Sequence, residues 1–124
     1  MKKTLPLLAS FFAIVIIAFI PPGKSIHGSW MIKYGNNQKI NIDFRKNGTV
    51  KVVIPSENFT VEGKFKLKDD MLYLNDGTCG LDYWGKYKTT FFSNDSIYTV
   101  LTEDSCGPRK SAMDKATLVR VKMQ

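Results

Sequence analysis

The chain has 124 residues, 18 of them lysine or arginine against 11 acids, for a formal charge of +7, with 44% hydrophobic residues, two cysteines and a single histidine. That length holds one small domain once a leader is subtracted. The lysines alternate with acids along extended segments instead of forming a block, which argues for a solvated outer face and against a nucleic-acid surface.

Met1-Lys2-Lys3 followed by the apolar run from Leu5 to Ile20 has the profile of an export signal, a basic start before a core short of the ~20 residues that span a bilayer. Gly23-Lys24-Ser25 places small residues at the two positions a signal peptidase needs, so residues 1–25 are expected to be a signal peptide and residues 26–124 the domain. The alternative is an uncleaved N-terminal anchor, the one route by which this chain would meet a membrane. No cysteine stands near the end of the apolar run, which argues against a lipid-anchored form. The expected address is therefore outside the cytoplasm of a bacterium, whether periplasmic, extracellular or envelope-anchored. In such an oxidising place Cys79 and Cys106 are expected to bond.

Period-two alternation then sets out the strands. Trp30, Ile32 and Tyr34 share one face of the first, which Gly35-Asn36-Asn37 ends. Ile40, Ile42 and Phe44 point inward from the second. Arg45-Lys46-Asn47-Gly48 reads as a hairpin turn, since Asn-Gly tolerates positive φ. The third strand, Thr49 to Ile54, stops at Pro55, which cannot donate to a ladder. Phe59, Val61, Gly63, Phe65 and Leu67 alternate with Thr60, Glu62, Lys64, Lys66 and Lys68, the clearest strand in the chain, and Asp69-Asp70 turns it into Met71 to Leu74. Further strands are expected over Trp84–Phe92, Ser96–Thr102 and Thr117–Lys122, with polar loops at 76–83 and 103–116. The result is an all-β chain, a small antiparallel up-and-down β-barrel of about eight strands behind an apolar signal helix.

In such a meander the connections alternate ends. The turns at 45–48, 68–70 and 93–95 fall at one end and are tight. The connections at 35–38, 55–58, 76–83 and 103–116 fall at the other, and this brings Cys79 and Cys106 within bonding reach.

Gly28-x-Trp30 at the start of the first strand, the eight-strand meander and Arg120 on the last strand resemble the lipocalin and wider calycin pattern. Cys79-Gly80, Gly85-Lys-Tyr87 and Glu103-Asp104-Ser-Cys106-Gly-Pro-Arg109 are similar to small lipocalin-like domains of exported bacterial proteins. The resemblance implies that Trp30 closes the barrel with Arg120 packed over it, and that the protein binds a small apolar or amphipathic molecule and catalyses nothing. The strands are shorter than in true lipocalins and no long loop follows the first, so a filled interior is expected.

Candidate contacts for a ligand or partner are Phe59, Phe65, Tyr83, Trp84, Tyr87 and Arg109. Phe59, Phe65 and Tyr87 either line a pocket or fill it. Tyr83, Trp84 and Arg109 lie in or beside the loops that carry the cysteines, where aromatic and arginine residues would serve an interface; alternatively Trp84 plugs the barrel and Arg109 pairs with Asp104. His27 reads as an exposed residue near the start of the domain. With one histidine no catalytic Ser/His/Asp or Cys/His set can be assembled, no phosphate-cradling glycine loop appears, and two distant thiols with one imidazole do not make a metal site. No enzyme, cofactor or metal is expected. A monomer is expected, whose partner is a small apolar molecule or, in the second reading, an envelope protein bound by the disulfide-pinned loops of a solid barrel.

Overall fold

The computed structural model describes residues 25–34 and 38–122. The leader expected over residues 1–25 lies outside these apart from Ser25, as does the Gly35-Asn36-Asn37 turn. The described chain runs β1 (Gly28–Tyr34), β2 (Gln38–Phe44), β3 (Thr49–Ile54), a 3-10 turn (Pro55–Glu57), β4 (Phe59–Lys68), β5 (Met71–Asn75), β6 (Gly85–Ser93), β7 (Ser96–Glu103), α1 (Gly107–Met113) and β8 (Ala116–Arg120). The eight strands form a closed antiparallel barrel in sequence order.

Alternation decides which side chains enter it. In β2 and β3, Ile40, Ile42, Phe44, Val50 and Val52 are buried, and Ile42 sits opposite Val52 in register. In β4 the lysines at 64, 66 and 68 stay in water while Phe65 is buried opposite Leu74. Tyr34 shares the inward parity of Trp30 and Ile32, but it emerges at the barrel's rim and is 38% exposed.

One end is closed by tight turns. Gly48 adopts φ +87 and its N–H reaches Arg45 O at 3.1 Å, which fulfils the Asn-Gly expectation. Beneath these turns Phe44 and Phe65 meet edge to face at 4.8 Å between ring centroids, and Trp30 is fully buried. Arg120 stands opposite Trp30 in the β1–β8 register and its guanidinium carbon lies 4.2 Å from the indole centroid. From there it donates to Asn94 O (3.0 Å), His27 O (2.8 Å) and Ser25 O (2.6 Å), while Trp30 Nε1 donates to Ile26 O at 2.7 Å. Gly28, at φ +123, leaves room for that arginine: a Cβ there would sit 2.7 Å from Arg120 Nη1. The Gly-x-Trp spacing thus has a steric cause.

The other end is built from the long connections. Cys79 and Cys106 are disulfide-bonded with their Cα atoms 5.7 Å apart, and closing a loop of this length contributes about 3–4 kcal/mol in the chain-entropy picture. The 103–116 connection is more than the polar loop expected from sequence. It contains α1, in which Pro108 occupies the first turn, where its missing N–H costs nothing. Arg109 and Met113, one helical turn apart, both face inward. Strand β6 starts at Gly85 and not at Trp84, and β8 ends at Arg120 and not at Lys122. Strands β1 and β8 share two register pairs near the closed end, Trp30 with Arg120 and Met31 with Val119.

The interior is only partly the solid core expected. Side chains fill the closed half, and a cavity remains in the half toward the disulfide.

Candidate functional site

The cavity occupies about 270 Å³ at the mouth. Its walls come from β1, β2 and β3 through Ile32, Ile40, Ile42, Val52 and Ile54, from β4 through Phe59, and from β5 through Leu74. Across it lies α1 with Pro108, Ala112 and Met113, and Glu57, Asp76, Thr78 and Arg109 are the polar groups on its lining. The space exists because α1 bridges the mouth with small or flexible residues, whereas the large rings of Trp30, Phe44 and Phe65 lie at the other end.

Arg109 holds this end together. Its side chain is almost wholly buried, as are those of Asp104 and Asp76. Arg109 Nε donates to Asp104 Oδ2 at 2.7 Å, Nη1 to Asp76 Oδ1 at 3.0 Å, and Nη2 to Asp104 Oδ1 at 3.0 Å and Tyr83 O at 2.8 Å. The Tyr87 hydroxyl donates to Asp104 Oδ2, the Cys106 N–H reaches Asp104 Oδ1 at 2.9 Å, and the Thr78 N–H reaches Asp76 Oδ1 at 3.0 Å. One guanidinium therefore ties together both long loops, and Asp104 extends the network to Tyr87 of β6. Gly85 belongs to the same design, because a Cβ there would collide with the Asp104 carboxylate. A planar five-donor group suits a site where two carboxylates and a carbonyl converge.

Burial and partners act in opposite senses on these groups. Burial alone would raise the Asp104 carboxyl, but hydrogen bonds from Arg109, Tyr87 and the Cys106 N–H outweigh it and hold the group below the usual carboxylate range. Burial would lower Arg109, yet the hydrogen bond to Asp104 and the charges of Asp76 and Asp104 raise it. Burial and the adjacent Asp104 carboxylate push the Tyr87 hydroxyl well above its ordinary value. Asp104 and Arg109 stay charged and Tyr87 stays a donor throughout the physiological range. The bonds of Arg109 fix the relative positions of the 76–83 and 103–116 connections.

The structure gathers some of the residues singled out from sequence and separates others. Phe59 and Arg109 line the cavity. Tyr87 points inward but is fully buried, committed to Asp104. Phe65 packs at the closed end against Phe44, and the His27 ring lies edge-on to it at 6.1 Å. Tyr83 and Trp84 lie away from the cavity lining. Trp84 does not plug the barrel: it is 38% exposed on the outer wall, with Lys66 Nζ 5.6 Å from its ring centroid. The pairing of Arg109 with Asp104 within one loop is present. Asp76, Ala112 and Met113 were not anticipated. Asp76-Gly77 has the look of an ordinary turn, although Asp76 continues the inward parity of Leu72 and Leu74. The i, i+3, i+4 spacing of Arg109, Ala112 and Met113 behind Pro108 was the available signal for a helical face.

Among the described residues no three His, Cys, Asp or Glu side chains are grouped to hold a metal. No protein-family model matches the chain, and no curated protein sequence matches it. Among solved structures it is similar to the crystal structure of Treponema pallidum Tp0751 (Pallilysin), at 11% identity and a TM-score of 0.54, over 98% of this chain and 100% of that one. At that identity the likeness concerns the fold alone.

Proposed function

We propose that this chain is an exported, lipocalin-like, non-catalytic binding protein that holds a small apolar or amphipathic molecule in its mouth cavity. The observation that carries the proposal is the cavity itself, about 270 Å³ of mainly aliphatic lining at the disulfide-pinned end of a barrel whose other half is filled, just under the roughly 300 Å³ at which small-molecule pockets begin. The stacking of Arg120 on Trp30 supports the lipocalin-like reading, because this is the contact that the resemblance of Gly28-x-Trp30 and Arg120 led one to expect. The Cys79–Cys106 bond is compatible with an exported location.

Native mass spectrometry of the protein purified from its own host's envelope tests the proposal. A reproducible added mass that organic extraction removes, and that Ala112→Phe prevents from binding, is the expected result. A bare chain even after saturating exposure to host lipid extract would overturn it.

One observation favours a second reading, a protein-binding module. Leu81, Tyr83 and Trp84 are 66%, 52% and 38% exposed on the loop that Cys79 anchors, an apolar cluster of the kind an envelope protein would cover. Chemical cross-linking in the host envelope decides it. A defined adduct that disappears with Tyr83→Asp while the fold persists supports this reading, and an adduct unchanged by that substitution rejects it.

A further inference from the structure

The polar groups around the cavity are unequal in what they leave free. Arg109, the one cation among the described residues of the lining, uses four of its five N–H donors, Nε and both of Nη2 on Asp104 and Tyr83 O and one of Nη1 on Asp76, which leaves the second N–H of Nη1 without a partner among the described residues. Its charge is more than matched by the two carboxylates beside it. Asp76 is 4% exposed, and its two hydrogen bonds, from Arg109 and from the Thr78 N–H, both fall on Oδ1. Oδ2 has no partner among the described residues, yet it is not among the atoms sealed from solvent. Asp76 stands on the lining of the cavity. Glu57, on the exposed 3-10 turn at the rim, forms no ion pair among the described residues. The cavity therefore has an aliphatic body, the Asp76 carboxylate with its unpaired Oδ2 beside Arg109 on the lining, and a second carboxylate, Glu57, at the rim.

We infer that the ligand of this cavity carries a cationic hydrogen-bond donor, such as a protonated amine, on a compact apolar body. This assignment rests on the small-ligand reading and names its chemical class. A head group of this kind would donate to Asp76 Oδ2 as a charge-assisted hydrogen bond in a desolvated place, where such bonds are strongest. A carboxylate head would lose its water beside two like charges, with a single N–H of the nearby guanidinium left to receive it and the charge of that guanidinium already matched by Asp76 and Asp104. A volume near 270 Å³ holds about nine groups of water size at roughly 30 Å³ each, so the body is about as large as a medium alkyl chain. The preference is local, since the chain as a whole is basic, with a formal charge of +7, and long-range attraction alone would draw an anion.

The test is calorimetric titration of the purified, disulfide-intact protein with n-octylamine, octanoate and octan-1-ol in about 150 mM salt. Octylamine is expected to bind at least tenfold more tightly than octanoate, with octan-1-ol between them. Glu57→Gln, on the exposed turn, is expected to reduce the amine preference about threefold, and Asp76→Asn to abolish it. Octanoate binding as tightly as octylamine, or a preference unchanged in both variants, overturns the head-group assignment and leaves the cavity reading standing. Binding of none of the three probes at about 1 mM overturns the cavity reading, and this assignment with it.

Discussion

At the closed end Trp30, Phe44, Phe65 and Leu118 bury apolar surface against one another, whereas at the mouth Asp76, Tyr87, Asp104 and Arg109 take the inward positions. The first arrangement is non-directional and tolerates approximate fits, since each contact is worth a little and the sum is large. The second is stoichiometric, because removing one member leaves charged partners buried and unpaired. The difference explains where the empty space is. Apolar rings hold an end together by filling it, but a guanidinium joins two loops along bonds and leaves the volume beside them vacant.

The sharpest way to break the mouth is Arg109→Ala, which strands two buried carboxylates. A loss of about 3–5 kcal/mol is expected, a large share of a total near ~5–15 kcal/mol, read as the shift of a thermal or urea unfolding curve. A loss under about 1 kcal/mol would show that the network is dispensable. Next in size, Cys79→Ser combined with Cys106→Ser should cost about 3–4 kcal/mol. The same substitutions should accelerate amide hydrogen exchange in residues 76–84 and 104–115 while sparing the β1–β2 ladder, and uniform acceleration would erase the distinction between the two ends.

At the closed end, Arg120→Ala removes the indole stack, worth about 0.5–2 kcal/mol, together with its bonds to three carbonyls. It should lower stability without changing ligand affinity in the folded fraction. An affinity change larger than about threefold would mean that the two ends are coupled.

Titration separates the ends at smaller amplitude. Asp104 has a folded pKa below its unfolded value of about 3.9. Its contribution is therefore present above about pH 4 and is lost as pH falls through the lowered folded value. Tyr87 has the opposite displacement, so its protonated form favours the fold and stability declines as pH rises past about 10. Unfolding free energy measured against pH should show both limbs, and Tyr87→Phe should remove the alkaline one. An alkaline limb that persists in that variant would assign it elsewhere. The smallest expected effect on stability is that of Ala112→Phe, within about 1 kcal/mol, although the new ring should fill the cavity and abolish binding of any small probe.

The strands and their faces were legible because a barrel wall, dry on one side and wet on the other, imposes period two on every segment that forms it. Lys64, Lys66 and Lys68 around Phe65 and Leu67 could be sorted in no other way. Loop alternation likewise puts Cys79 and Cys106 at the same end of the barrel from sequence alone. The mouth was harder to read. Asp76 lies 33 residues from Arg109, and nothing local distinguishes an aspartate that turns inward from one that merely starts a turn. Helix α1 is two turns long and faces inward with Arg109, Ala112 and Met113, so the one helical spacing it offers is short and is led by a charged residue. Trp84 looks like the first residue of a strand because an aromatic next to Tyr83 resembles one. The chain folds it outward instead, over the aliphatic stem and charge of Lys66.

Arg120 Nη2 reaches Ser25 O at 2.6 Å, so the first described residue and the final strand lie side by side at one pole of the barrel, and the aperture opens at the other. The domain is thereby vectorial. A tether continuous with either end of the barrel leaves from the pole opposite the entrance, so attachment to a surface through that tether faces the aperture outward. A reporter or fusion partner joined at either end would likewise stay clear of the cavity.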